Sequence, residues 1–422
     1  MKPAEAATAR LPSTWLLLAL IALLPLMNPP VRYPVVAVDL VFVLLALALG
    51  LELASGRRRL PWDPCWAVLA AYVVALVPSL IATSNMSQSL FKLATEVFLV
   101  GLTIVTVMVT HSPTVFRRAV LTWLIATALM CLVGMVGLIG FAIDPQGPIY
   151  QYTSFHFGTL PPGHYPRMEM TFLNANMACN YLTVSVGLLF VAWSQGWLKD
   201  HLALALLAAF VVASAFTISP GIGGIALAVG AGLFVLRGSR IALAIGIAIA
   251  LAFLVAVWLT PIPHSTATFA FRVPGTAIIL EPAGRFLTGA AGWREFLAHP
   301  LVGHGIGIDA VFVHYADPSG TMQELTDAHN MFLNIAPQAG IVGLVGLLVL
   351  IGYAARLTIA ERKDPVALLL GLTFLNAFVY QGLGGSYEDT RHLWVLLGLL
   401  VARVRLNRAG ESNRTAGAPS PG

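Results

Sequence analysis

Apolar residues along this chain neither alternate with polar ones nor keep to one stripe of a helix. They come in near-unbroken runs of roughly 20 residues, the length that crosses a hydrocarbon core as helix. Segmenting on that pattern predicts about twelve helical spans, centred near residues 21, 44, 73, 100, 130, 183, 209, 229, 250, 347, 375 and 397. The alternating pattern of a membrane β-barrel is missing. The expected fold is all-α: a polytopic transmembrane helical bundle, one integral membrane domain over residues 1–422. The first run, "LALIALLPLMNPPVRYP", lacks a small-residue cleavage site and leads straight into another run, so it reads as an uncleaved anchor.

Most connections between runs are short, as between antiparallel neighbours in a bundle. Two are long: residues 144–170, rich in Pro, Gly and aromatic residues, and residues 261–329. Within the second, "GWREFLAHPLVGHGIG" sets Trp293, Phe296 and Leu297 on one helical face and then breaks at Pro300 and a glycine run. That pattern predicts a short surface helix followed by a turn. No strand-helix unit surrounds "GHGIG", so a dinucleotide loop is not expected there. The tail, residues 409–422, is polar and small, and is expected to be disordered.

Composition supports this reading. Of 422 residues, 58% are hydrophobic and 10% charged, against roughly 25% charged in soluble domains. Most of the 24 Lys and Arg residues fall in segments that alternate along the predicted spans: Lys2 and Arg10, Arg57 to Arg59, Arg117 and Arg118, Lys199, Arg237 and Arg240, Arg356, Arg362 and Lys363, and Arg403 to Arg414. Positively charged short loops stay cytoplasmic. Both termini are therefore expected on the cytoplasmic side and the 261–329 loop on the outer side. The net charge of +5 then reflects topology, and no basic stripe calls for a nucleic acid. Cys65, Cys131 and Cys179 lie in apolar runs, and the histidines of the long loop lack zinc-site spacing, so neither metal nor cofactor is expected.

Charge inside a span is costly and asks for a partner. Asp39, Lys92 and Glu96 are the cases, and Lys92 and Glu96, four apart, can pair on one helical face. On the expected outer side Arg167, Arg285, Arg294 and Arg391 each sit beside a span or the surface helix. Their planar forks suit phosphate, so they are candidates to converge on one anion. Asp327, His329 and Asn330 stand at the mouth of the run that continues to Arg356. An imidazole there has the pKa range of a general base.

Four stretches together resemble the O-antigen ligase and polymerase superfamily of bacterial membrane glycosyltransferases. They are "RMEMTFLNANMACNYL", "GRFLTGAAGWREFLAHPLVGHGIG", "HNMFLNIAPQAGIVGL" and "EDTRHLWVLLGLL", within roughly residues 167 to 400. The resemblance implies transfer of a glycan from a polyprenyl (undecaprenyl) pyrophosphate carrier to a lipid or glycan acceptor hydroxyl at the periplasmic face, in lipopolysaccharide or other cell-surface polysaccharide assembly. It implies His329 as the base, Arg285, then Arg167 and Arg391, with Arg294, on the pyrophosphate, and Asn176 and Asn330 as positioning groups. Two departures stand out. Ser219-Pro220-Gly221 takes the place of the Ser-Arg-Gly that many members carry, and Met170 and Ala175 replace a usual Gly and Pro. A repeat-unit polymerase of the same superfamily is the alternative, and a secondary transporter or lipid flippase is the alternative of another class.

Overall fold

The computed structural model describes residues 11–27, 36–60, 62–145, 147–148, 152–159, 162–262, 271–277, 279–316, 322–385 and 390–416. It is mostly helical, and every predicted apolar centre lies in a helix. In chain order these are α1 (Pro12–Leu23), α2 (Ala37–Ala54), α3 (Pro64–Leu76), α4 (Met86–Val109), α5 (Pro113–Ile143), α6 (Ala175–Ser194), α7 (Asp200–Phe216), α8 (Ile222–Arg237) and α9 (Arg240–Ala256). After the second long connection come α11 (Met331–Ala360), α12 (Pro365–Leu375) and α13 (Arg391–Ala416), with α10 (Gly284–Ala298) inside that connection. Among the described residues, 6 helices are long and apolar enough to cross a membrane: α2, α3 with its 3-10 extension to Ile81, α4, α5, α6 and α11. The others in the apolar set, such as α7, α8 and α9, are shorter.

Helix starts follow the polar punctuation of the sequence. Asp63, Asn85, Ser112, Asn174, Ser239, Asn330 and Asp364 each accept a hydrogen bond from a backbone N–H of the first turn, satisfying donors that have no partner within the helix. Close helix approach relies on small residues: Gly187 lies against Thr373, Gly371 against Thr358 and Gly398 against Thr106, with no room for a Cβ. Helix α6 is the buried centre of the bundle. Large apolar side chains such as Leu47, Ile125, Leu132 and Ile245 point outward.

Buried charge is paired. Lys92 Nζ lies 3.1 Å from Glu96 Oε1, as the four-residue spacing predicts, and Tyr72 donates to Glu96 Oε2 at 2.8 Å. Glu52, which the sequence reading did not single out, is also buried; it accepts from Arg58 Nε at 3.0 Å and from Ser13 Oγ at 2.7 Å. A set of ion pairs gathers near the C-terminal end of α11: Arg403–Asp364, Arg405–Asp63 and Arg408–Glu361.

The all-α expectation needs one correction. The long connections contain short antiparallel sheets, namely the hairpin β1 (Thr153–Thr159) with β2 (Pro162–Met168), the three-stranded set β3 (Leu259–Ile262), β4 (Phe271–Arg272) and β5 (Ile279–Pro282), and the hairpin β6 (Val313–Ala316) with β7 (Met322–Leu325). Backbone groups in long connections must find partners, and ladders supply them without apolar periodicity. The predicted surface helix is α10: Trp293 and Leu297 are exposed, while Gly289 and Gly292 face inward. The tail expected to be disordered continues α13 to Ala416, and residues 417–422 lie outside the described set.

Helix α11 is not one uninterrupted rod. Pro337 lies inside it and Gly340 adopts φ 65°, ψ −166°, so the helical ladder breaks there. The turn that follows α10 fills the break. Backbone N–H groups of His304 and Gly305 donate to the carbonyls of Pro337 and Gln338 at 2.9 and 3.0 Å, and Ile341 N–H donates to Pro300 O at 2.8 Å. Gly303, at φ 69°, packs so closely on Gln338 that a side chain there would meet its carbonyl. The glycine run is thus the predicted turn, and its lack of side chains lets two backbones hydrogen-bond across the broken helix.

Candidate functional site

The residues just before α11, Asp327 to Asn330, are tied down by a set of hydrogen bonds. Asp327 Oδ1 accepts from the His329 backbone N–H at 2.6 Å and from Asn334 Nδ2 at 2.7 Å. Ala328 N–H donates to Asn334 Oδ1 at 2.9 Å, and Ala328 O accepts from Thr288 of α10 at 3.3 Å. Asn330 caps α11 through Oδ1 and donates from Nδ2 to Leu383 O at 3.2 Å. His329 itself sits at φ 49°, in the left-handed region. Its side chain is 36% exposed, so the imidazole is reachable although its backbone is fixed.

Arg285, in the first turn of α10, comes close enough to act on this imidazole and donates from Nη1 to Gly384 O at 2.7 Å. Burial, and next the Arg285 charge, hold the His329 pKa below its ordinary 6.5, while Asp327 pulls it upward. The imidazole is therefore neutral at physiological pH and able to accept a proton.

Gly384 lines a cleft shared with Asn176, Ser219, Pro220, Gly221, Leu254, Val257, Tyr380 and Gln381. The cleft is narrow, with room for roughly one water molecule. On its α6 side Arg167, only 9% exposed, donates from Nε to Thr217 O at 2.8 Å and from Nη2 to Asn176 Oδ1 at 2.9 Å. Ser219 Oγ donates to the same Asn176 oxygen at 2.8 Å. On the α12 side Gln381, 4% exposed, donates to Thr183, and its Oε1 has no partner among the described residues.

Strained backbone occurs in the segments that carry these residues. Among the described residues the non-glycine positions at positive φ are Met170, Ile218 and His329. Met170 follows Arg167 by three residues on the way into α6, Ile218 precedes Ser219 of the cleft wall, and His329 feels the Arg285 charge. Each costs about 1 to 3 kcal/mol, and for a β-branched residue such as Ile218 the conformation is rare. Such costs persist where surrounding structure over-determines the backbone, as around functional sites. Met170 is also one of the positions where the resemblance has glycine, the residue that adopts this conformation freely.

The structure thus brings Arg285 to His329, and joins each of two arginines to the lining of the cleft, Arg285 through Gly384 and Arg167 through Asn176. It does not bring in the remaining two candidates. Arg391 is bound bidentately to Asp39, at 2.7 and 2.9 Å, which supplies the partner that the span charge at 39 required. Arg294 is nine residues beyond Arg285, on the opposite side of α10, and lines a separate open cleft with Glu295, His304, Asp309 and Phe312. Glu388 and Asp389, beside Arg391 in the resemblance, lie outside the described residues. Sequence reasoning assigned no role to Asp327, Asn334, Ser219 or Gln381. Asp327 was visible as part of the polar triplet; the other three carry no local signal that separates them from helix caps and core polar residues. No protein-family model matches the chain, and no curated protein matches it.

Proposed function

We propose that this protein is a bacterial inner-membrane glycosyltransferase of O-antigen ligase type. It takes a glycan from a polyprenyl pyrophosphate carrier and joins it to a lipid or glycan acceptor hydroxyl at the periplasmic face. The observation that carries the reading is the reachable imidazole of His329 near the Arg285 guanidinium, which is bonded to the lining of a cleft at Gly384, while Arg167 is bonded to the same lining at Asn176. A base and two fixed cations drawn from three separate segments are what such a transfer requires.

The acceptor O–H gives its proton to His329, its oxygen forms a bond to the anomeric carbon, and the bond from that carbon to the pyrophosphate oxygen breaks, leaving the electron pair on the carrier's pyrophosphate. Arg285 and Arg167 stabilise the negative charge that builds there, and guanidinium groups fixed in advance do so without reorganisation. The cleft is too narrow for a sugar pyrophosphate, so the phosphates sit at its mouth, where the carrier's lipid stays in the bilayer. In this arrangement the helices make about twelve crossings, both termini are cytoplasmic, and the connections containing β1–β5 and α10 are periplasmic. Arg391, engaged by Asp39, takes no direct part.

The test is glycan transfer in proteoliposomes with purified carrier-linked donor. His329→Ala and Arg285→Ala are each expected to lower the rate by about a hundredfold or more. A His329→Ala variant that transfers at the wild-type rate sinks the reading. Accumulation of unligated long polymer in a deletion strain marks a ligase, whereas single-repeat products mark a polymerase.

The break in α11 favours a second reading, since secondary transporters build their sites on interrupted helices. At this break, however, the freed carbonyls of Pro337 and Gln338 are taken by the 300–305 turn instead of facing a cavity. Solute flux without glycosidic bond formation in the same proteoliposomes would favour transport.

A further inference from the structure

We propose that Asp327 is a positioning residue for His329: its carboxylate holds the backbone that carries the imidazole and presents a fixed negative charge to the Nδ1 side of the ring, leaving Nε2 for the acceptor hydroxyl. The inference rests on the glycosyltransferase reading for its catalytic meaning, but its physical core can be measured without it.

Both carboxylate oxygens face His329 in different ways. Oδ1 accepts the His329 main-chain N–H at 2.6 Å. Oδ2 lies 3.8 Å from Nδ1, too far for a hydrogen bond and near enough for an ionic attraction. Asn334, one turn into α11, clamps Oδ1 from the other side at 2.7 Å, so the carboxylate cannot swing away without losing a second bond. The clamp closes on itself, because the Asn334 oxygen takes the N–H of Ala328, between Asp327 and His329. A left-handed residue inside such a ring has a fixed backbone, which sets its Cα–Cβ direction and limits the imidazole to the rotamers that this direction allows. Thr288 ties the same loop to α10, one turn beyond Arg285, so imidazole and guanidinium share one scaffold.

The charges bearing on the imidazole oppose each other. Among the described residues, Arg285 from α10 disfavours a proton on His329 and Asp327 from the loop favours it. When the ring accepts the acceptor's proton at Nε2, the imidazolium positive charge meets the carboxylate on its Nδ1 side. Asp327 offsets the cost of forming that cation next to Arg285. A side chain that merely made the turn would need only the Oδ1 acceptor, which asparagine also supplies.

The experiment follows from that difference. The pH dependence of His329 carbethoxylation by diethyl pyrocarbonate, read by peptide mass spectrometry on the full-length protein in detergent, reports the proton affinity of this ring alone. Asp327→Asn keeps the turn and removes the charge, and is expected to move the midpoint to lower pH. Glycan transfer by the same variant should fall about tenfold or more, with its acid limb moving in the same direction, and Asp327→Glu should restore part of the rate. Asp327→Ala, which loses turn and charge together, should be the slowest of the three. A midpoint that stays in place in Asp327→Asn overturns the assignment whatever the transfer assay gives. A midpoint that moves, in a protein whose His329→Ala variant still transfers at full rate, upholds the pairing of carboxylate and imidazole and overturns the glycosyltransferase reading instead.

Discussion

Arg391 and Asp39, 352 positions apart, are joined by two hydrogen bonds, Nε to Oδ1 at 2.7 Å and Nη2 to Oδ2 at 2.9 Å. The pair ties the start of α13 to α2, and the guanidinium carbon lies 5.6 Å from the centre of the Phe98 ring. An arginine held by a carboxylate and an aromatic face in this way is a strut between helices.

Breaking that strut should therefore cost stability more than chemistry. Asp39→Ala or Arg391→Ala each leaves a partly buried charge alone, and each is expected to cost about 2 to 4 kcal/mol. Thermal unfolding in detergent measures the loss. The charge-reversed double variant should regain part of it, and transfer per folded molecule should stay within about threefold of wild type in the single variants.

Arg285 predicts a pH effect of definite sign. His329 must be neutral to act as base, and its pKa is held below 6.5, so transfer should be constant above that pH and fall on acidification below it. The stability linkage has the same sign: the folded protein binds this proton less readily than the unfolded chain, so the contribution is present above 6.5 and is lost as pH falls. In Arg285→Gln the smaller of two lowering influences is gone while burial remains, so the acid limb of the rate profile should move part of the way to higher pH while the plateau drops about a hundredfold.

The joint between α11 and the glycine turn makes a third prediction. Gly303→Ala drives a Cβ into the Gln338 carbonyl from a left-handed backbone, and should cost about 2 to 3 kcal/mol in thermal unfolding. Gly352→Ala, in the same helix with no atom within 4 Å of the added carbon, is the control and should be neutral or stabilising by up to about 1 kcal/mol.

Gln381 offers an unpartnered acceptor at the cleft wall. Replacing it by Met removes that acceptor at similar volume. The hydrogen bond to Thr183 goes with it, so stability should fall by about 1 to 3 kcal/mol, whereas transfer per folded molecule should fall about tenfold, since Oε1 is placed to accept from a single hydroxyl entering the cleft. Unchanged transfer would remove Gln381 from the site.

The helices were legible in the sequence because a long apolar run has few alternatives. In an apolar phase each backbone polar group must be satisfied within its own segment, and a helix does that locally. The Lys92–Glu96 pair was local too and could be read from spacing alone, whereas Asn330, expected as a positioning group, was not read as the cap of α11 that it is. The α10 helix and its turn followed from Pro300 and the glycines. Which arginines meet His329 did not follow, because Arg285, Arg294 and Arg391 look alike along the chain. One of them is neutralised by an aspartate from the second helix, and another points away because nine residues turn a helix by about half a revolution relative to Arg285.

The sequence by itself determined the apolar helices, the places where they start, and the presence of an imidazole at the entrance to α11. Tertiary structure decided which way each charge turns, that α11 breaks at Gly340 with its carbonyls taken by a distant loop, and that Arg285 of α10 comes to His329. The division has one physical cause. Helix formation and capping depend on neighbours a turn away, whereas ion pairs, strained backbone and a shared cleft depend on contacts made only when remote segments have packed together.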